Sequence, residues 1–548
     1  MAQHNEQDLF SMTQFKWLYN NEQQLALRYV PFNVEALIDI AVQSADATRC
    51  VSFKKISEGT MNRVFALKCD NDVDFIVKIP FPITGPKHLC TASEVATLDY
   101  LLTELGIPVP EVCAWSSHAE ETPVGAEFIM YEQLPGTSLS DFDKSDFPMH
   151  YDPYIRLLPL ITRIESELSI RGFSQIGSLY YKEDVPQHLH QWPLYSDSKN
   201  ETTNSERFRI GPTIERDFWR AGRSTLNIDR GPWPNDRAYM FALGACTRAS
   251  IEAGLEPDPD GVYHHLISIY EQLVPHMAPR RTMCTLWHPD LHAGNIIVDG
   301  DIEKDPDSLQ LSGIIDWQGS VVLPYYMQFE VPPAYEFDAS DYPVVQYSPD
   351  GKPKLADEYE NLWDDEKVAA DHALRRAWRA YLHQLILREE DARLEKDLYG
   401  IKGANRLRVA TRPATTIAAG GSSLASIARS IANVERLWNL MVELDADGRP
   451  LHPFPSAFSE DDKRLAEEGE ARYERSKALV DGLLPRLGMR WEGEGLVLAE
   501  KYEEAKQVLE AALQAALAAA PSEEDRQRIA EEWPFQDGKF ASSADRCW

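Results

Sequence analysis

No window of this 548-residue chain approaches the ~20 uninterrupted apolar residues that a bilayer-spanning helix requires. Even the alanine-rich stretch over residues 509–520 carries Glu510 and Gln514, so no integral membrane contact is expected. Cysteine is scarce and scattered. The seven, at positions 50, 69, 90, 113, 246, 284 and 547, stand singly with no CxxC spacing, which excludes a disulfide framework and suits a reducing compartment. Positive charge is in deficit: 55 Lys and Arg face 87 Asp and Glu, a formal net charge of −32. A field of that sign repels nucleic acid and anionic lipid, so neither is expected as a partner. There is no Lys or Arg before Lys16, a pattern unlike a secretory signal or a mitochondrial presequence, and the expected location is the cytoplasm. No internal repeat and no metal-binding run stands out.

What remains is an ordinary globular composition, 43% hydrophobic and 26% charged, with enough length for more than one lobe. Three short apolar runs, VSFKKI, RVFALK and DFIVKI, are broken at Ser57-Glu58-Gly59 and Asp70-Asn71-Asp72 and predict antiparallel strands. A helix is predicted over residues 91–105, with Val95, Leu98, Leu102 and Leu105 on one face and the spacing of a capping box at Thr91 and Glu94. Two further strands are predicted around VCAWS and AEFIMYEQL. These five strands and one helix make a small lobe over 47–136, preceded by an extension over 1–46. Beyond Gly136 the pattern turns helical, for example over 155–168 and 261–274, and predicts a larger lobe over 137–395. The polar residues 196–207 read as a flexible surface loop. Long amphipathic stretches follow over 366–396 and 424–441, with a C-terminal helical extension over 396–548.

Chemistry concentrates in LWHPDLHAGNIIVDG, residues 286–300, and LSGIIDWQG, residues 311–319. Two predicted strands bracket a loop that holds Asp290 and, five residues on, Asn295; the second strand ends in Asp316. Three oxygen-bearing side chains thereby meet near one sheet edge. Phosphoryl transfer needs such a set, with one carboxylate to take or orient the proton of the attacking hydroxyl. An amide and a second carboxylate then hold Mg²⁺ against nucleotide phosphates. His288, Asp290 and His292 at alternate positions raise the alternative of a hydrolytic metal site, which lacks a third histidine nearby.

The pattern H-x-D-x-x-x-x-N followed by I-D-W resembles the aminoglycoside phosphotransferase and choline kinase branch of the protein-kinase-like fold. The resemblance implies an α+β bilobal fold, with a small antiparallel sheet lobe and a larger, mainly helical one. It implies Asp290 as catalytic base, His288 as a brace for its loop, and Asn295 and Asp316 as Mg²⁺ ligands. Trp317 after the metal aspartate and the lack of an A-P-E segment favour a small-molecule acceptor over a protein. ISEGTMNRVF, residues 56–65, resembles the phosphate-covering strand-turn-strand. It has Gly59 where protein kinases have three glycines, so contact leans on Ser57, Thr60 and Asn62 as well. Lys78 is placed like the lysine that binds the nucleotide's phosphates, and Glu94, 16 residues later, like its ion-pair partner. EFIMYEQLPG resembles the strand and hinge whose backbone would bind adenine, with Met130 to Gln133, Glu132 among them, nearest the purine.

Longer segments such as RYVPFNVEAL, IGSLYY and DRGPW, within about the first 330 residues, resemble the fungal group named for altered inheritance of mitochondria protein nine. That resemblance implies a mitochondrial connection, against the cytoplasmic expectation. The expected protein is an ATP- and Mg²⁺-dependent phosphotransferase acting on a hydroxyl of a small molecule, with a protein partner possible through the C-terminal helices. The alternative is a pseudokinase whose pocket serves as a regulatory switch. Arg220, Arg223 and Arg230 have two readings, the lining of a cleft for an anionic acceptor or plain surface ion pairs.

Overall fold

The computed structural model describes residues 6–143, 148–258, 260–277, 283–302, 304–399, 411–417, 424–455, 457–487, 495–533 and 535–537. Cys547 and the start of the predicted C-terminal extension, beyond Tyr399, lie outside them.

Five strands form one antiparallel sheet. Cys50–Glu58, Asn62–Cys69 and Asp74–Pro80 follow one another, then Phe128–Glu132 pairs with Asp74–Pro80, and Val112–Ser116 takes the edge. Period-two alternation puts Phe65, Leu67, Phe75, Val77, Ile79 and Met130 on one face, all buried. Each such side chain contributes about 2 kcal/mol relative to leaving it in water. The helix that covers this face, Val34–Ser44, adds Leu37 and Ala41 to the same core. Besides the predicted helix, the lobe therefore takes in Val34–Ser44 and, through Leu9, the short helix Glu6–Phe10, both from residues read as an extension.

The other helix, Leu89–Tyr100, lies on the opposite side and continues as a π-helical turn, Leu101–Leu105. A capping box at its start is not formed. The Thr91 hydroxyl donates to Glu127 Oε2 at 2.6 Å and the His88 N–H to Glu127 Oε1 at 3.0 Å, so the residue just before strand Phe128–Glu132 satisfies the helix N-terminus. Residues from Cys90 through Leu98 are buried on all sides. The strand pair Ser178–Tyr181 and Phe208–Gly211 of the larger lobe covers the face that amphipathic spacing leaves to solvent.

In the larger lobe, Ile161, Leu243, Leu266, Leu387, Leu394 and Ile431, from six different helices, share one core. Helix Leu424–Met441 thus belongs to this lobe's interior, although its position after residue 396 suggests an appendage. The stretch over 366–396 is two helices, Asp364–Glu390 and Ala392–Tyr399. Asp391 Oδ1 accepts from the N–H of Arg393 at 3.0 Å and of Leu394 at 2.9 Å, capping the second. Residues 196–207 are pinned, contrary to the flexible loop their polarity predicts. Ser205 is buried, Thr202 Oγ1 donates to Glu104 Oε1 at 2.9 Å, and Arg207 pairs with Asp99. Further on, helix Tyr502–Ala519 builds a separate core with Leu483 and Trp533 that also takes in Leu18 and Tyr19.

Candidate active site

Lys78 stands on the face of its strand opposite Val77 and Ile79, and points between the lobes. Its ammonium lies 2.8 Å from Glu94 Oε1 and 3.0 Å from Asp316 Oδ1. Burial disfavours the charge on Lys78, but the Asp316 and Glu94 carboxylates outweigh it and hold the ammonium above its ordinary pKa. Burial in turn raises Glu94, with Lys78 pulling it back only in part. Asp316 is enclosed by protein yet its side chain is 45% exposed to the cleft; Lys78 overcomes the burial and lowers its pKa. The backbone at Asp316 is left-handed, φ 64°, a conformation that Asp tolerates and that turns its carboxylate out of the strand direction toward Lys78.

The loop before it is braced from within. The hairpin of Ile296–Asp299 with Gln310–Ile314 sets Asn295 beside the strand end, and the Ile315 N–H donates to Asn295 O at 2.9 Å. His288 is buried with both ring nitrogens engaged: Nδ1 accepts from the Asp290 N–H at 3.0 Å and Nε2 lies 3.0 Å from Ile315 O. Burial lowers its pKa to about 4, so the ring is neutral with its proton on Nε2. The hydrolytic metal alternative is thereby overturned, because His288 has no lone pair to offer. Asn295 Nδ2 donates to Asp290 O at 2.9 Å. The Asp290 carboxylate, 29% exposed, lies 3.7 Å from His292 Nε2. Burial raises its pKa, His292 opposes that, and Asp316 adds to it.

Above the cleft, the Gly59 N–H donates to Asn62 O at 2.9 Å, closing the turn. Asn62 Nδ2 reaches across to Gln318 Oε1 at 2.8 Å, and Thr60 sits at the crest between them. Gln318, two residues past Asp316, is a cleft residue that the motif reading passed over. The hinge segment is placed less favourably. Met130 pairs with Val77 and packs into the sheet core, and Glu132 shares its side of the strand. The N–H groups of Glu132 and Gln133 already donate to Glu111 O and Asp74 O. Tyr131, between them, is the residue on the lysine's face; register alone marks it, since it opposes Ile76 next to Lys78.

The arginines are structural, and not the surface ion pairs that the plainer reading expects. Arg223 is buried and 2.5 Å from Glu256, Arg220 is 2.7 Å from Asp217, and Arg230 stacks 4.1 Å over Trp219.

The profile of the phosphotransferase enzyme family matches residues 52–327, from the first sheet strand to just past the Asp316 loop. The chain belongs to the phosphotransferase enzyme family. Proteins similar to it include a subtelomeric hrmA-associated cluster protein of Aspergillus fumigatus, 32% identical over 58% of this chain and 66% of the relative. Another is altered inheritance of mitochondria protein 9, mitochondrial, of Kluyveromyces lactis, 27% identical over 66% of this chain and 61% of the relative. The chain thus spans just under two thirds of the length of these two relatives. Among solved phosphotransferase structures, the apoenzyme of macrolide 2′-phosphotransferase from Brachybacterium faecium aligns with 72% of this chain and 93% of its own. It does so at 13% identity and a TM-score of 0.32.

Proposed function

We propose that this chain transfers the γ-phosphoryl group of ATP to a hydroxyl of a small molecule, with Mg²⁺. The observation that carries the reading is the meeting of Lys78, Glu94 and Asp316 in one ion-paired set, directly after the loop that bears Asp290 and Asn295. Bound ATP with Mg²⁺ supplies the transferable group and neutralises charge on its phosphates. Asn295 and Asp316 fit the ion chemically: both offer hard oxygens. Asn295 Nδ2 is committed to Asp290 O, which leaves Oδ1 for the metal. Two protein oxygens suit an ion that keeps waters and phosphate oxygens as its other ligands. Lys78, held charged, binds phosphate oxygens, and Glu94 fixes its reach. Asp290 takes or orients the proton of the acceptor hydroxyl, and its raised pKa makes it the stronger base. His288, neutral, holds the Asp290 N–H and the strand end in register.

The rival reading, a nucleotide-binding regulator without turnover, is supported by the Asn62–Gln318 bond across the cleft mouth. Labelled ATP supplied with pooled cell metabolites separates the two. Label should move to a metabolite with the parent chain and not with Asp290→Asn, while both keep the same thermal shift with ATP. Equal label transfer by Asp290→Asn would sink the assignment of Asp290. As to compartment, the name of the mitochondrial relatives supports a mitochondrial setting over the cytoplasmic expectation, and fractionation of the tagged full chain checks it.

A further inference from the structure

The phosphate-covering turn is gripped from outside by parts of the chain distant from it in sequence. At its base, the Glu58 carboxylate has no exposure and accepts from the N–H of Thr13 at 2.7 Å and of Gln14 at 2.8 Å, with Lys55 paired beside it. At its crest, Arg28, 2% exposed, donates Nε–H to the carbonyl of Thr60 at 2.8 Å. The other end of that guanidinium donates Nη1 to Gln24 Oε1 at 2.6 Å, and its plane lies 4.3 Å over the Trp17 ring. Hydrogen bonds from a charged donor in such enclosure are among the strong ones.

Trp17 is itself held. It belongs to the strand Phe15–Trp17, which pairs antiparallel with Leu496–Leu498, Trp17 opposite Leu496. It packs with Phe81, the residue after the lysine strand, and with Leu496. The Leu18 N–H donates to Gly495 O at 2.8 Å and the Ala499 N–H to Gln14 O at 2.9 Å. Gly495 has φ 68°, and a Cβ there would meet the Tyr19 ring at 2.4 Å, so a glycine is what lets the two segments close up. Leu18 and Tyr19 then complete the core of helix Tyr502–Ala519 and Trp533. A continuous chain of contacts therefore runs from those C-terminal helices, through one short strand, to the backbone of the turn.

A turn with a single glycine cannot find its phosphate-binding shape through backbone freedom, and external bonds to Glu58 and Thr60 can set that shape in advance. We propose that Trp17, Arg28 and Glu58 are positioning residues that preset the phosphate-covering turn, with the helical region after residue 495 as their abutment. The effect on nucleotide affinity rests on the phosphotransferase reading above; the grip on the turn does not.

The test compares the full chain with Arg28→Ala, Arg28→Lys and Glu58→Gln by amide hydrogen exchange and by ATP titration. Arg28→Ala should quicken exchange at residues 59–62 about tenfold or more, leave strand Ile296–Asp299 unchanged, and weaken ATP binding about tenfold. Arg28→Lys should restore part of both losses. A general loss of stability would instead quicken exchange in both regions and would count against a positioning role. Should Arg28→Ala fail to fold, Glu58→Gln carries the same expectation. Unchanged exchange at 59–62 in the soluble variants overturns the proposal. If the parent chain binds no ATP, the phosphotransferase reading falls, and the exchange comparison still decides the grip.

Discussion

Lys78 and Glu94, 16 residues apart in the chain, meet at 2.8 Å with side chains 4% and 5% exposed. Taking two such charges out of water costs several kcal/mol each, which their attraction offsets only while both are present. Asp316 then joins from the other lobe, so one ammonium ties the sheet, the helix and the Asp316 loop together.

From this follows a stability pattern. Glu94→Ala leaves Lys78 buried with only the cleft-exposed Asp316 and should cost about 3 kcal/mol. Lys78→Met combined with Glu94→Gln removes both charges and should recover most of it, by urea denaturation, yet still fail to bind ATP. Equal losses in the single and double variants would mean the pair is not coupled.

Acid should weaken the fold through His288. Its folded pKa is about 4 against an ordinary 6.5, so the unfolded chain binds the extra proton between those values. The stabilisation is complete above pH 6.5 and is lost as pH falls toward 4, about 3 kcal/mol in all. Denaturation at pH 7, 6, 5 and 4 should show this slope in the parent and a shallower one in His288→Gln; parallel curves would contradict the neutral, buried ring.

Asp316→Asn should abolish the Mg²⁺-dependent part of the thermal shift with ATP while leaving the metal-free part. The same Mg²⁺ increment in parent and variant would remove Asp316 from the ligand set.

Gly136→Ala tests the joint between the lobes. Gly136 has φ 97°, and a Cβ would lie 1.9 Å from Val298 O, where the chain crosses the strand after the Asp290 loop. Strain and clash together should cost about 3 kcal/mol or more. A melting temperature within a degree of the parent's would show that the crossing has room.

The strands were legible because alternation at Phe65, Leu67, Phe75 and Val77 is a local pattern that the sheet merely uses. The loop of Asp290 and Asn295 was legible because its residues are close in sequence and its chemistry restricts their type. Glu94 was ambiguous: Thr91 three residues before it offers a cap, and only Glu127, distant in sequence, removes that role. Which side chain of the hinge strand faces Lys78 was not legible, since a hinge motif does not reveal it, whereas the pairing of Val77 with Met130 and of Ile76 with Tyr131 does.

The chain by itself therefore settled the strands of the small lobe, its family-bearing motifs and the candidate residues for phosphoryl chemistry, all set by short-range pattern. Tertiary structure alone decided which side chains face the cleft, that helix Leu424–Met441 lies in the core of the larger lobe, and that residues 13–28 reach the turn over 58–62. Those outcomes depend on packing and hydrogen bonds between segments far apart along the chain, where burial and close approach, not local preference, fix the partner.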